Sequence, residues 1–189
     1  MGRTRDVSKI LTSNTSILTL ASASTTYQTK ASNALVLLNT TSFTTQSTVS
    51  INDVFSATYT NYRILLKASQ SAAEWLSMRM RVSDADATTS AYNFVGLRGN
   101  TTDSFSGTAT MGYISHHTTG NVNKRMSIDV FNPFNAANTF VVSTGLTVTP
   151  TVGLMSWEHQ VATSYTGFTL LSLSGATITG EVSVYGYNK

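Results

Sequence analysis

The sequence lacks cysteine, has only two prolines and carries few charges, and each shortage narrows the class of protein. Without cysteine there is no disulfide framework and no thiolate chemistry. Charged residues make up 11% of the chain, against about 25% in ordinary globular domains. Ser and Thr take their place. A Thr-rich chain with so little proline and charge favours a β-rich protein over an α/β enzyme.

Long apolar runs and clusters of cations are also missing. No stretch approaches the roughly 20 apolar residues that a transmembrane helix requires. The basic start resembles that of a signal peptide, but polar residues at 12–16 interrupt the apolar run that a signal peptide needs. The net charge of +3 is spread along the chain, with Arg79 and Arg81 on one face of a strand and Lys124 beside Arg125. Because phosphate contacts come in clusters, we expect no nucleic acid as partner. Because the sequence has neither a long apolar span nor a signal-peptide pattern, we expect no membrane as partner either.

What the sequence does contain is a succession of short alternating runs from residue 34 onward. Residues 76–82 alternate most regularly, and residues 180–187 alternate almost to the C-terminus. Roughly eight to ten such runs are separated by turn signals, and none has a sustained helical period. Residues 99–109 are expected to form a loop. We predict an all-β chain, with an antiparallel β-sandwich of jelly-roll type over residues 35–189.

Residues 1–34 do not follow this pattern, and we predict an extended N-terminal arm. Ordering some thirty residues costs on the order of 30–60 kcal/mol, whereas burying five aliphatic side chains returns on the order of 7–15 kcal/mol. The arm is therefore expected to take its shape from a partner surface. The residues predicted to dock it are Arg3, Arg5, Lys9, Ile10, Leu11, Ile17, Leu18 and Leu20.

The residues of catalysis and metal binding do not form a recognisable constellation. His116 and His117 are adjacent, so a strand would point them to opposite faces, and with His159 and no cysteine they do not make a zinc site. His159 is predicted to be a half-buried strand residue. Glu158 and Glu181 lie in strands that could be neighbours, but both alternate outward with polar residues, unlike a glycosidase pair. We expect no enzyme, no metal and no cofactor.

Aromatic side chains beside Asn and Thr leave glycan binding open, because exposed aromatic rings can stack on sugars. Packing within the sandwich explains the same aromatics, so both interpretations stand at this point. The candidate glycan contacts are Trp75, Asn100, Phe105, His116 and His117.

Several motifs resemble small virion structural proteins of tailed bacteriophages, especially those of cyanobacterial and marine phages, of the tail-fibre or capsid-decoration type. They are MGRTRDVSKIL at 1–11, YTNYRILL at 59–66, MRMRVS at 78–83, IDVFNPF at 128–134 and GEVSVYG at 180–186. The resemblance implies a non-enzymatic component of the virion, in which a sandwich head is docked by the N-terminal arm.

The same resemblance implies other virion proteins, of capsid or tail, as partners, and a homotrimer as the assembly. It leaves open whether the chain decorates the capsid or belongs to a tail appendage. In the second case a receptor-binding module that contacts host surface polysaccharide is the alternative function. Sheet faces rich in Thr and Ser are expected to make the contacts between subunits without large apolar patches.

Overall fold

Alternating apolar and polar side chains build this chain into two antiparallel sheets, with strands numbered along the chain. The computed structural model describes residues 34–99, 104–115, 123–147 and 152–188. The larger sheet contains, in spatial order, β1 (Leu35–Gln46), β13 (Ile178–Tyr187), β3 (Asn61–Gln70), β9 (Asn123–Phe131), β10 (Thr139–Thr147), β11 (Val152–His159), β6 (Tyr92–Arg98) and β7 (Ser104–Ala109). The smaller sheet contains β2 (Thr48–Ile51), β12 (Gly167–Ser172), β4 (Leu76–Val82) and β5 (Ala85–Asp86), with β8 (Gly112–Tyr113) also paired to β4.

The inner faces of the two sheets share one hydrophobic core. Ile64 and Ile128 enter it from the larger sheet, and Met78 and Leu170 enter it from the smaller one. Phe55 joins the two contributions, because its ring lies 4.6 Å from that of Tyr62 and 5.8 Å from that of Phe168. The chain is thus an all-β antiparallel sandwich of jelly-roll type, as predicted, and its described residues include no helix.

The two strands with the clearest alternation are where the sequence places them. In β4 the side chains of Leu76, Met78 and Met80 are fully buried. In β13 Val182 and Val184 are fully buried, and the strand pairs with β1 on one side and β3 on the other. The C-terminal run is therefore an interior strand of the larger sheet.

Other expectations about the strands are wrong. Residues 104–109 form β7 rather than part of a loop, because Phe105 points inward while its Ser and Thr neighbours line an exposed face. The strand signal that begins at residue 34 is right, but the strand continues beyond the short apolar run to 12 residues, since the outward positions of this edge strand accept Ser and Thr. The described residues form thirteen strands, against the expected eight to ten.

Two expectations about side chains are also wrong. Glu158 and Glu181 are not on neighbouring strands, because β3, β9 and β10 lie between β11 and β13. His159 is fully buried rather than half-buried, because it shares the inner face of β11 with Trp157.

Apart from Ala34, the predicted N-terminal arm lies outside the described residues, and with it all eight of its predicted docking residues. The first described strand begins at Leu35, and residues Ala34–Lys189 form one compact unit. Asn100, His116 and His117 also lie outside the described residues. No helix in the described part of the chain is long and apolar enough to cross a membrane.

Candidate functional site: an apolar patch on the larger sheet

Four adjacent strands of the larger sheet, β9, β10, β11 and β6, carry large apolar side chains on their outer face. The register makes them neighbours: Leu154 of β11 lies opposite Leu97 of β6, and Leu146 of β10 lies opposite Val152 of β11. We call this surface the apolar patch. Its members are Phe131, Phe140, Val142, Leu146, Val152, Leu154, Val95 and Leu97.

The apolar patch lies at the upper end of the size range that monomeric proteins expose to water. Each of its eight side chains is between 36% and 55% exposed. At roughly 150–200 Å² for a free side chain of this size, the patch exposes on the order of 600 Å² of apolar surface. The largest apolar patch on a monomeric protein is typically about 300–600 Å² and is often a site of interaction. The expectation of sheet faces without large apolar patches is therefore wrong.

The rest of the same outer face is more polar, although Leu37 of β1 and Leu65 of β3 are also exposed on it. On β1, β13 and β3 the outward positions include Ser42, Glu181 and Lys67, which lie side by side in the register. Arg63 of β3 forms a bidentate ion pair with Asp129 of β9, with Nη2 to Oδ2 at 2.8 Å. Hydrogen bonds from the Arg63 guanidinium lower the pKa of the Asp129 carboxyl. The outer face thus has a predominantly polar half, on β1, β13 and β3, and a half in which large apolar side chains predominate, on β9, β10, β11 and β6; the names polar half and apolar half are used in this sense.

The apolar patch has charges of opposite sign at its two ends. Arg125 of β9 lies opposite Leu146 at one end, and Glu158 of β11 lies opposite Phe140 at the other. Arg125 is exposed. Glu158 accepts hydrogen bonds from the side-chain amide of Asn138 at 2.7 Å and of Gln160 at 3.0 Å. The surface therefore carries large apolar side chains along its length, with Thr144 and Ser156 between them, a cation at one end and an anion at the other.

A second cluster, of four aromatic rings, forms where β6 and β7 approach β8 and the start of β4. Trp75 lies 5.0 Å from Phe105 and 4.9 Å from Tyr113, and Phe94 lies 4.7 Å from Tyr113, between ring centroids. All four rings are half-buried. A Cβ at Gly96 would lie 2.1 Å from the Phe105 ring, so only glycine permits this approach. The structure brings together Trp75 and Phe105, two of the predicted glycan contacts.

The buried titratable residues lie in the interior of the sandwich. Burial lowers the pKa of His159 to about 4 and the pKa of Lys124 to about 8. The hydroxyl of Tyr165 lies 2.8 Å from Nδ1 of His159, and the Tyr92 ring centroid lies 4.0 Å from that of His159. Among the described residues, no group of three or more His, Cys, Asp or Glu could hold a metal ion.

The two arginines that share a face of β4 are held by acidic and polar groups. Arg81 donates hydrogen bonds to Asp86, to the Asn52 side chain at 2.9 Å and to Thr169 Oγ1 at 2.9 Å. Arg79 lies 3.9 Å from the same Asp86 carboxylate. With a shared carboxylate between them, the two guanidinium groups do not form a free cationic stripe.

Sequence reasoning missed the apolar patch, although all eight of its residues are apolar in the sequence. The missing information is the register. Phe131 and Phe140 belong to different strands and are paired only by the β9–β10 hairpin. A signal was present in runs of consecutive apolar residues, such as 140–142 and 154–155. A strand with one face exposed to solvent normally alternates apolar and polar residues, so such runs indicate apolar side chains on both faces.

Fold and surface together define a β-sandwich with an apolar half-face and a half-buried aromatic cluster. No family model matches the chain, and no curated protein does. Among solved structures the chain is similar to the galectin LEC-6 of Caenorhabditis elegans, at 11% identity. The match covers 80% of this chain and 95% of that one, with a TM-score of 0.34. A likeness of this size carries no argument about function.

Proposed function

We propose that this chain is a non-enzymatic structural subunit of a bacteriophage particle, and that its apolar patch packs against protein in the assembled particle. The observation that carries the proposal is the patch itself, eight exposed apolar side chains on one half of a sheet face. Surfaces of this kind mark protein–protein interfaces. The phage context comes from the resemblance of residues 1–11 and of the four body motifs.

In this proposal the chain has two points of attachment within the virion. The N-terminal arm docks on other virion proteins, of capsid or tail, and the apolar patch packs the sandwich against a neighbouring surface. An arm that takes its shape from a partner gains contacts without a core of its own. The patch, in contrast, belongs to a sheet that is already folded, so burying it orders few additional residues.

Particle incorporation tests the role of the patch. In the double variant Leu97→Thr, Leu154→Thr, a β-branched polar residue replaces leucine at two paired positions of the patch, and the strands are expected to persist. Leu65→Thr is the matched control, because Leu65 is 44% exposed on the polar half of the same face, against 39% for Leu154. We expect at least a tenfold loss of incorporation for the double variant and normal incorporation for the control. Normal incorporation of the folded double variant would refute the proposal.

The arm is tested separately by deleting residues 2–33. The sandwich is expected to fold, since the described residues from Ala34 onward contain a core cluster of their own. The truncated chain should no longer join the particle. If it is incorporated as well as the full chain, the arm is not the attachment.

The second candidate function, a receptor-binding module that contacts host surface polysaccharide, is favoured by the aromatic cluster. Trp75 and Phe105 are near neighbours and half-buried, so part of each side chain is exposed to solvent, and aromatic side chains are common in the recognition of ligands with an apolar face. A glycan array prepared from host envelope polysaccharide tests it, with Trp75→Ala as the variant and Phe131→Ala, an exposed aromatic outside the cluster, as control. Binding lost only in Trp75→Ala supports this function, and a wild-type chain that binds no glycan rules it out.

A further inference from the structure

We infer that the apolar patch binds the same patch of a second copy of this chain, to form a two-fold symmetric dimer of face-to-face sheets. This inference rests on the proposed function, because it names the partner of the surface that the proposal assigns to protein contact. It departs from the homotrimer that the sequence resemblance implies.

The first argument is the order of charges along the patch. A two-fold interface presents the same surface twice, so it must be complementary to itself. Arg125 and Glu158 lie at opposite ends, beside Leu146 and Phe140, which are six residues apart on β10. That separation corresponds to roughly 20 Å along a strand.

This order of charges selects one arrangement of the two copies. Consider a two-fold axis that lies in the interface and is perpendicular to the line from Arg125 to Glu158. Rotation about it places each Arg125 opposite Glu158 of the second copy and brings Leu154 and Leu97, which lie near the axis, against their own counterparts. The result is two reciprocal ion pairs around an apolar centre, the usual anatomy of a stable interface.

The second argument is area. The patch supplies on the order of 600 Å² of apolar surface, and the surrounding polar positions add a rim. A stable interface of standard size buries about 800 Å² on each partner. Two copies of the patch would together bury on the order of 1,200 Å², which is the lower end of the standard interface size.

The same features argue against a lipid surface as the occupant. Binding to an anionic membrane favours several Lys or Arg around an apolar face. Here one end of the patch carries Glu158. At the other end Lys67, the neighbour of Arg125 on β3, faces Glu181 across the register with β13. Mixed charges of this kind suit a protein partner.

Sedimentation analysis of the full chain at low salt tests the inference through charge reversal. Arg125→Glu and Glu158→Arg should each weaken the dimer at least threefold, because each creates two like-charge contacts. The double variant Arg125→Glu, Glu158→Arg should restore the dissociation constant to within about twofold of wild type. Glu181→Arg, on the polar half of the same face, is the control and should leave the dissociation constant unchanged. The patch variant Leu97→Thr, Leu154→Thr should be monomeric.

Three results would overturn the inference. They are a monomeric wild-type chain at concentrations of roughly 100 μM, where even a weak dimer forms; a trimer; or a dimer that the charge swap does not restore.

The proposed function is judged by a different readout. If the chain is monomeric but the patch variant still fails to enter the particle, the patch binds another virion protein, and only the dimer is wrong. If the chain dimerises but the patch variant enters the particle normally, the proposed function fails.

Discussion

Arg63 holds Asp129 through two parallel hydrogen bonds, from Nε to Oδ1 and from Nη2 to Oδ2, each 2.8 Å long. The hydroxyl of Tyr187 donates a third hydrogen bond to Oδ1 at 2.8 Å, and the Arg63 guanidinium lies 5.5 Å from the Tyr187 ring centroid. The three residues join β3, β9 and β13. Asp129 also lies opposite Val142 of β10, so this cluster forms the border between the polar and apolar halves of the outer face.

Replacing Asp129 by Asn should destabilise the protein by roughly 1–2 kcal/mol at pH 7, because it removes a charge-assisted bidentate pair that is partly exposed. The pKa of Asp129 is lowered in the folded state, so the carboxylate stabilises the fold above its unfolded pKa of about 3.9. That stabilisation is lost as the pH falls through the folded pKa. Urea denaturation of both proteins should therefore show a smaller difference at pH 3 than at pH 7. An equal difference at both pH values would contradict the assignment.

Acid sensitivity at mildly acidic pH is expected to come from His159. Its pKa is lowered to about 4 by burial, against about 6.5 when unfolded. Between these values the unfolded chain binds a proton that the folded chain does not, so stability falls as the pH falls. From pH 7 to pH 5 this group should cost about 2 kcal/mol of unfolding free energy.

The variant His159→Asn isolates this contribution, because an amide near the position of Nδ1 can still meet the Tyr165 hydroxyl. Chemical denaturation at pH 7 and pH 5 should show that the variant loses about 2 kcal/mol less than wild type on acidification. Both proteins contain His116 and His117, so the comparison cancels the contribution of those residues. A loss of the same size in both proteins would show that His159 is not the sensitive group.

Lys124 should produce the opposite trend at alkaline pH. Burial lowers its pKa to about 8, against about 10.4 in the unfolded chain. Between these values the folded chain gives up a proton that the unfolded chain keeps, so the Lys124 contribution to stability rises with pH. From pH 7 to pH 10 wild type should gain about 2 kcal/mol relative to Lys124→Met. If the unfolding free energies of the two proteins change equally between pH 7 and pH 10, the lowered pKa of Lys124 is contradicted.

The sequence predicted the sandwich because its clearest strands, β4 and β13, each have one face in the core and one face that is polar. The same logic failed for β7, where a single inward phenylalanine, Phe105, anchors a strand of Ser, Thr and Gly. Short polar strands of this kind are held by their neighbours, and alternation alone does not reveal them.

The candidate surface was less predictable than the fold, because it depends on strand order. Val95 and Ser156 are distant in the sequence but lie side by side in the sheet. Alternation places Phe140 and Leu154 on a face, but only the pairing of β9, β10, β11 and β6 gathers that face into one patch. Trp75 and Phe105 were singled out for their residue type, and the structure places their rings together. The phage context and the N-terminal attachment stay predictions.

The most direct measurement of the central claim, that the apolar patch is covered by protein in the assembly, is cysteine labelling. The chain contains no cysteine, so Leu154→Cys in the patch and Leu65→Cys on the polar half each introduce a single thiol. In the isolated chain at high dilution, both thiols should react with a maleimide at similar rates, because both positions are comparably exposed. In the assembled particle we predict that the thiol of Leu154→Cys is protected at least tenfold while that of Leu65→Cys still reacts. Equal labelling of the two positions in the assembled particle would contradict the account.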